Sequence, residues 1–200
     1  MKIIIIGASG TIGKAIVNEL QPRHDIVQVG YSSGDVQVDI TDAASIQRMY
    51  ETIDNIDAVV MATGKVHFAG LDEMTEQDYR LGLDNKLMGQ INVVLAGLHR
   101  INDGGSFTLT SGILNRDPIQ YGSSAAMVNG AIDGFVKSAA LEMPRGIRIN
   151  CVSPTVISEA MEGYAPYFRG YQPVTAARAA LAYSKSVEGL QTGQIFTVDV

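Results

Sequence analysis

Three glycines follow the first apolar run of the sequence at a spacing that suits phosphate binding. Gly7, Gly10 and Gly13 come directly after the apolar run 3–6, and a helical pattern follows them. Gly7 permits a tight turn, Gly10 lets the backbone approach a pyrophosphate, and Gly13 lets the next helix pack closely on the sheet. The N-terminus of that helix offers free N–H groups to an anion. The pattern therefore predicts a dinucleotide-binding turn.

The same turn contains Ser9, Thr11 and Ile12, and the two hydroxyls can donate hydrogen bonds to phosphate oxygens. No Gly-Lys-Ser/Thr sequence follows, which excludes a P-loop. A tight turn without a ligand is one alternative. A methyltransferase-like domain, which also binds adenosine at a glycine turn, is a second.

The end of the second predicted strand bears on the choice between NADP and NAD. An acidic residue there would accept hydrogen bonds from the adenosine ribose and favour NAD. Gly30 and Tyr31 stand there instead, followed by Ser32 and Ser33. The serine hydroxyls can donate to a 2′-phosphate, so the sequence predicts NADP, with NAD as the alternative.

Two residues after the third predicted strand are expected on the adenine side. Asp39 is placed to meet the adenine amino group, and Ile40 follows it. A turn or helix-capping role is the alternative for Asp39. Asp42 fits the capping role better, because it directly precedes a helical pattern.

Apolar strand-like runs alternate with helical patterns along the whole chain. The predicted strands cover 2–6, 26–29, 36–38, 57–61, 106–109, 147–152 and 194–198, and the predicted helices cover 11–20, 43–52, 75–100, 124–143 and 175–184. Strands that are apolar throughout are buried on both faces. The alternation predicts an α/β fold, a Rossmann-like doubly wound parallel sheet of about seven strands with helices on both faces.

The predicted helix 75–100 carries an apolar stripe and a start signal. Thr75 and Asp78 form a capping pair at its beginning, and the segment 103–105 forms the turn that follows. One face is expected to hold the apolar residues spaced three or four apart: Tyr79, Leu83, Leu87, Ile91, Leu95 and Leu98.

Composition limits the classes of protein that this chain can belong to. Its 200 residues suit one domain, 1–200, and 46% hydrophobic residues are too many for a disordered chain. A net charge of -6 argues against a nucleic-acid partner. The single cysteine, Cys151, is expected in the core of a cytoplasmic protein. Scattered histidines predict no metal site, and no apolar run is long enough to predict a membrane span.

Taken in order, several segments resemble the short-chain dehydrogenase/reductase superfamily. The resemblance implies the strand order 3-2-1-4-5-6-7, with Ala62, Thr63 and Gly64 on the adenosine side and Pro154 and Val156 beside the nicotinamide. It also implies a homodimer or homotetramer formed through the two long central helices. The matching segments are 7–13, 38–42, 62–64, 109–112, 148–154 and 192–199.

The resemblance fails at part of the active site. The family uses an Asn, a Ser and a Tyr-x-x-x-Lys motif, and Ser111 matches the serine. Alignment of the helix that carries the motif places Ala125 at the tyrosine and Asn129 at the lysine. Lys86 stands at the usual asparagine position. Alanine cannot transfer a proton, so the usual proton donor is missing.

A substitute set is conceivable in which Tyr121 is the acid, Lys86 stabilises its phenolate and Ser111 orients the substrate. The alternative roles are a loop aromatic, a salt-bridging lysine and a strand-end serine. Two functions stay open: an oxidoreductase that moves hydride between NADP(H) and a small carbonyl or alcohol substrate, and a non-catalytic dinucleotide-binding sensor. The segment 157–172 is expected to cover the substrate pocket, with Arg169 as a contact for an anionic group.

Overall fold

The computed structural model describes residues 1–199 and contains a seven-stranded sheet; Val200, the last residue of the predicted domain, lies outside the described residues. The strand order is β3-β2-β1-β4-β5-β6-β7 and every ladder is parallel, which confirms the predicted fold. The strands are β1 (Lys2–Ile6), β2 (Asp25–Gly30), β3 (Val36–Gln37), β4 (Ile56–Met61), β5 (Ile101–Thr110), β6 (Arg148–Pro154) and β7 (Ile195–Val198).

Helices cover both faces of the sheet, and alternate side chains of β1 point to opposite faces. Ile3 and Ile5 pack in the core beneath α1 (Thr11–Leu20) and α7 (Ala176–Glu188). Ile4 and Ile6 pack in the core on the other face, beneath α2 (Ala43–Thr52), α4 (Gly89–Gly97) and α5 (Ser123–Ala139). This burial on both faces explains why β1 is apolar at all four positions from Ile3 to Ile6.

The prediction of one regular helix over 75–100 is wrong. The segment divides into α3 (Glu76–Leu81), a π-helical segment (Gly82–Met88) and α4. The predicted start is confirmed, because Thr75 and Asp78 form a capping box: Thr75 N–H donates to Asp78 Oδ2 at 2.9 Å and Asp78 N–H donates to Thr75 Oγ1 at 3.3 Å.

The π-helical segment changes which face of α4 is buried. Val93 and Val94 lie in the core, whereas Leu95 of the predicted stripe is 53% exposed. A π-helical turn holds more residues than an α-helical one, so the side chains after it are rotated from their expected directions.

Several boundaries differ from the prediction. β5 begins at Ile101, and the predicted turn at 103–105 is an irregular part of that strand, where the pairing register with β4 shifts. α5 ends at Ala139 and α7 extends to Glu188. Short helical turns also occur at Ile113–Asn115, Ser158–Ala160 and α6 (Met161–Tyr164). Within residues 1–199, no helix has both the length and the apolar character that crossing a membrane requires.

Candidate active site

The glycine turn between β1 and α1 is packed so tightly that two of its glycines have no room for a side chain. Gly7 has φ +87°, and a Cβ there would lie 2.5 Å from the carbonyl oxygen of Ala62. A Cβ at Gly13 would overlap the carbonyl oxygen of Gly7. Gly10 is exposed beside the start of α1, and a Cβ there would lie 3.3 Å from the carbonyl oxygen of Gly7. The turn therefore presents bare backbone and a helix N-terminus to a ligand.

A cavity of about 1030 Å³ lies beyond the carboxyl ends of β1, β2 and β4. Open α/β sheets bind ligands in a crevice at this edge. The predicted cofactor residues that line it are Gly7, Ser9, Gly10, Tyr31, Asp39, Ile40, Ala62 and Thr63.

Not every predicted cofactor residue borders this cavity. Thr11 lines a groove between α1 and α7, and Gly13 is buried beneath the turn. Ser32 and Ser33 are exposed and are not among the residues that line the cavity. A Cβ at Gly30 would lie 2.6 Å from the carbonyl oxygen of Ser33, so the turn after β2 requires glycine there.

Asp39 is held as a carboxylate on the cavity wall. Its Oδ1 accepts hydrogen bonds from Thr41 Oγ1 at 2.6 Å and from Thr41 N at 2.9 Å, and these bonds lower the pKa of Asp39. Asp42 caps α2, as predicted, by accepting from Ala44 N at 2.9 Å. The two aspartates therefore have different roles, and Asp39 faces the cavity.

A second cavity of about 310 Å³ lies at the carboxyl ends of β4, β5 and β6. Ala62 and Thr63 line both cavities, so the two form neighbouring parts of one crevice. The second cavity brings Lys86 and Ser111 together. Its other predicted lining residues are Ile12, Gly64, Ala125, Asn129, Pro154 and Val156.

Lys86 and Asn129 contact each other across the second cavity. Lys86 Nζ donates to Asn129 Oδ1 at 2.7 Å and to the carbonyl oxygen of Ser111 at 3.1 Å. Burial lowers the pKa of Lys86 to about 8, and the nearby Asp133 carboxylate opposes that shift. The family resemblance implies an asparagine at position 86 and a lysine at position 129, and this chain has Lys86 and Asn129 instead, joined by a hydrogen bond.

Gly64 makes room for the stem of Lys86. It has φ +138°, and a Cβ at Gly64 would lie 2.5 Å from Lys86 Cγ. The resemblance implies that Gly64 lies on the adenosine side with Ala62 and Thr63. In the structure Gly64 borders only the second of the two cavities, because Lys86 packs against it.

Ser111 is buried at the end of β5 and is 4% exposed. Its Oγ accepts a hydrogen bond from Cys151 Sγ at 3.2 Å. Burial raises the pKa of the Cys151 thiol to about 12, so the thiol is neutral and donates its hydrogen. The Ser111 hydroxyl hydrogen therefore remains available for the cavity that Ser111 lines. Cys151 is a buried residue, as predicted.

Gln90 anchors the π-helical segment to β5 and was not predicted. Its Nε2 donates to the carbonyl oxygens of Lys86 at 2.9 Å and Thr110 at 3.0 Å. Its Oε1 accepts from Thr110 N at 2.8 Å. These bonds hold Lys86 beside the strand that ends in Ser111. The side chain of Gln90 is fully buried, but no motif in the sequence around it predicts this role.

The structure does not bring Tyr121 to Lys86 and Ser111. Tyr121 lines a third cavity of about 480 Å³, and its ring packs edge-on against Tyr167 with centroids 5.8 Å apart. Tyr121 has φ +66°, in the turn that precedes α5. This turn directs the ring towards the segment 157–172, so Tyr121 lacks the geometry that the predicted acid requires.

The segment 157–172 covers the second cavity, as expected. Tyr164 and Phe168 line that cavity, and Phe168 is buried. Arg169 is exposed and is not among the lining residues, so the expected anion contact is not formed there. Across residues 1–199, no three His, Cys, Asp or Glu side chains are grouped as a metal site would need.

Comparisons with known proteins agree with this architecture. The chain is 52% identical to the protein lin1944 from Listeria innocua, whose crystal structure matches with a TM-score of 0.97 over 99% of both chains. A small-chain dehydrogenase crystallised in complex with NADPH has the same fold, with 24% identity and a TM-score of 0.88 over 100% of this chain and 96% of that one.

The sequence matches are to curated relatives and to one family model. The chain is 26% identical to the 3-oxoacyl-(acyl-carrier-protein) reductase FabG of Chlamydia trachomatis serovar D, over 98% of this chain and 84% of that protein. Several curated relatives are longer, and the match covers only 66% of their length. Residues 4–199 match the family model described as enoyl-(acyl carrier protein) reductase. The chain therefore belongs to the short-chain dehydrogenase/reductase superfamily.

Proposed function

We propose that this protein is an NADP(H)-dependent oxidoreductase that moves hydride between the cofactor and a small carbonyl or alcohol substrate. The observation that carries the proposal is the pairing of Lys86 with Asn129 beside Ser111. This pair supplies a cation and hydrogen-bond donors at the end of a crevice that begins at the glycine turn. A protein that had kept only the fold would have no need of a buried cation there.

The residues of the first cavity fit a dinucleotide. The bare backbone of the glycine turn and the N–H groups of α1 would hold the pyrophosphate. Asp39 and Ile40 would meet the adenine, and Pro154 and Val156 would flank the nicotinamide. When bound, the nicotinamide would supply or accept the hydride.

NADP is proposed over NAD because residues 30–33 carry no carboxylate for the ribose. Tyr31 is 76% exposed at the cavity edge, and Ser32 and Ser33 follow it. Lys65 also lines the first cavity and adds positive charge. The NADPH complex of the small-chain dehydrogenase with the same fold supports this choice.

The second cavity would bind the reactive end of the substrate. Ser111 would orient the carbonyl oxygen by donating its hydroxyl hydrogen. Asn129 stands at the position of the usual lysine, and its Oδ1 accepts from Lys86. Within residues 1–199 its Nδ2 has no protein acceptor, so this group would donate to a ribose hydroxyl of the cofactor. Tyr164 and Phe168 would exclude water from above.

A non-catalytic dinucleotide-binding sensor is the second candidate, and Ala125 favours it, because the usual proton donor is missing. The two functions differ in turnover rather than in cofactor binding. We also propose a cytoplasmic location, since the chain has a single reduced cysteine, and a homodimer or homotetramer formed by α4 and α5. Leu95 and Leu98 line an apolar groove between these helices.

The experiment is a titration of the purified protein with NADPH and with NADH, followed by nicotinamide fluorescence. We expect saturable binding with a preference for NADPH. A panel of small aldehydes and ketones is then tested for NADPH oxidation. Turnover supports the oxidoreductase, binding without turnover on any carbonyl supports the sensor, and no binding of either dinucleotide refutes both.

A further inference from the structure

The position of the usual catalytic tyrosine is occupied by Ala125, which is buried and has no proton to transfer. The missing phenol ring leaves space in the second cavity, and Lys86 lines that cavity with Ser111. A reduction of a carbonyl still needs a proton for the substrate oxygen. Among the residues that line this cavity, two titratable side chains carry a proton that they could donate: Lys86 and Tyr164.

The hydrogen bonds of Lys86 leave one of its donors free. An ammonium group has three N–H bonds. One is directed to Asn129 Oδ1 and another to the carbonyl oxygen of Ser111. No third acceptor within residues 1–199 is bonded to Lys86 Nζ. The remaining N–H is therefore available to a ligand in the cavity.

We propose that Lys86 is the catalytic residue that donates the proton to the substrate oxygen, in place of the missing tyrosine. This inference rests on the proposed oxidoreductase function. Lys86 N–H and Ser111 O–H would then bind the same carbonyl oxygen. In the family pattern the lysine is on the helix that corresponds to α5, where it supports the tyrosine. In this chain the lysine, Lys86, is on the π-helical segment, and its ammonium group would contact the reacting oxygen directly.

The proton step is balanced without any further reagent. The carbonyl carbon gains a hydride from the reduced nicotinamide, and the electron pair of the C=O π bond moves to the oxygen. That oxygen forms an O–H bond as one N–H bond of Lys86 breaks. The products are an alcohol, the oxidised nicotinamide and a neutral amine, which regains its proton from water.

The surroundings of Lys86 make its ammonium a stronger acid than an exposed lysine. The groups that face it are Asn129 and Asp133 on α5, the carbonyl of Ser111 on the strand end and the Cys151 thiol on β6. Burial is the larger effect and brings the pKa of Lys86 to about 8, closer to neutral pH, where a general acid is most effective.

Tyr164 is the competing acid, and its setting suits that role less well. It lies in the covering segment and packs edge-on against Phe68 and Phe168, with ring centroids 6.1 Å and 6.0 Å away. No hydrogen bond within residues 1–199 joins its hydroxyl to Lys86 or Ser111. A phenolate at Tyr164 would have no bonded cation.

The first test measures Lys86 directly, without turnover. The protein is labelled with trace acetic anhydride across a pH series, and the acetylation of each lysine is quantified by peptide mass spectrometry. We expect the labelling of Lys86 to reach its midpoint near pH 8 and to fall when NADPH is bound. The exposed Lys14 is the internal control. A Lys86 midpoint as high as that of Lys14 would overturn the proposal.

The second test uses four variants, Lys86→Met, Lys86→Arg, Tyr164→Phe and Tyr121→Phe, with the best carbonyl substrate from the panel. Lys86→Met removes the proton, and Lys86→Arg keeps the charge but cannot release a proton. We expect both variants to lower kcat by about 10²–10⁴-fold, the range typical of general acids, with the dissociation constant of NADPH nearly unchanged. Tyr121→Phe, outside this cavity, is the matched control and should keep its kcat.

The outcomes separate the inference from the proposed function. Turnover by Lys86→Arg near the wild-type rate would show that only the charge matters and would overturn the inference alone. A larger loss in Tyr164→Phe than in Lys86→Met would move the acid to the covering segment. Loss of NADPH binding in both Lys86 variants would show that Lys86 maintains the structure of the site and would overturn the inference. Wild-type protein that binds NADPH but reduces no carbonyl refutes the oxidoreductase and this inference together.

Discussion

Gly64 lies where the stem of Lys86 crosses the backbone, and replacing it with alanine should damage the site in a measurable way. A Cβ at Gly64 would lie 2.5 Å from Lys86 Cγ and 2.8 Å from Lys86 Cβ. The lysine cannot avoid this methyl group by moving only its flexible end, because the nearest atoms are close to its own backbone. The whole stem, or the loop after β4, has to shift.

Two costs add in Gly64→Ala. The backbone has φ +138°, a conformation that residues with a side chain rarely adopt, and holding alanine there costs about 1–3 kcal/mol. Forcing a methyl group into packed atoms costs about 1–3 kcal/mol more. We therefore expect a loss of roughly 2–6 kcal/mol in the free energy of unfolding, a large share of the stability of an ordinary domain.

The measurement is urea unfolding of the wild type, Gly64→Ala and the control Gly134→Ala. Gly134 lies in α5, and a Cβ there would meet no atom within 4 Å. The control should gain about 0.5–1 kcal/mol, because alanine favours helix over glycine. The Lys86 labelling midpoint should move in Gly64→Ala and stay in place in Gly134→Ala. Equal stability of the two variants would refute the packing of Lys86 on Gly64.

Three further predictions concern the cofactor and the charge of Lys86. Gly13→Ala should abolish NADPH binding, because its Cβ would overlap the carbonyl of Gly7; fluorescence titration measures this, with Gly134→Ala as the control. Tyr31→Arg should strengthen NADPH binding about 10- to 150-fold and leave NADH binding unchanged, because one charge-assisted hydrogen bond contributes about 1.5–3 kcal/mol. Equal gains for both dinucleotides would contradict a nearby 2′-phosphate. The folded-state pKa of Lys86, about 8, is below its ordinary 10.5, so between these values the unfolded chain binds more protons. The wild type should therefore gain stability relative to Lys86→Met as the pH rises from 8 to 10.5, and a constant difference in urea unfolding would contradict the lowered pKa.

The strands and the glycine turn could be predicted because each depends on local chemistry, whereas the strand order was implied only by the family resemblance. The apolar runs are long enough to identify buried strands, and the glycines at 7 and 13 occupy positions where a Cβ cannot fit. The caps at Asp42 and Thr75 follow from side chains that bond to their own backbone neighbours. None of these features requires knowledge of distant residues.

The π-helical segment was missed although the sequence contained a sign of it. From Tyr79 to Leu95 the predicted stripe advances by four residues at every step. Each step of four drifts about 40° around an α-helix, so the stripe drifts about 160° in total and cannot stay on one face.

The candidate site could be predicted only in part from the sequence. Lys86 and Ser111 were predicted as site residues, and the structure brings them into contact through the carbonyl of Ser111. The bond between Lys86 and Asn129 depends on two elements meeting across the sheet edge, which no local pattern reports. Tyr121 lies just before α5 in the sequence, but the backbone turn at that residue directs its ring towards Tyr167.

The π-helical segment also restricts how this chain can tolerate insertions and deletions. The segment directly precedes α4. Its backbone conformation therefore determines both the direction of the Lys86 side chain and the side of α4 that faces outward. Deleting one residue between 82 and 88 would rotate α4 by about 100° relative to α3. Leu95 would turn towards the core, and Lys86 would lose its alignment with Asn129. A single change in length would therefore alter the candidate site and the outer surface of α4 together, whereas substitutions can change either one alone.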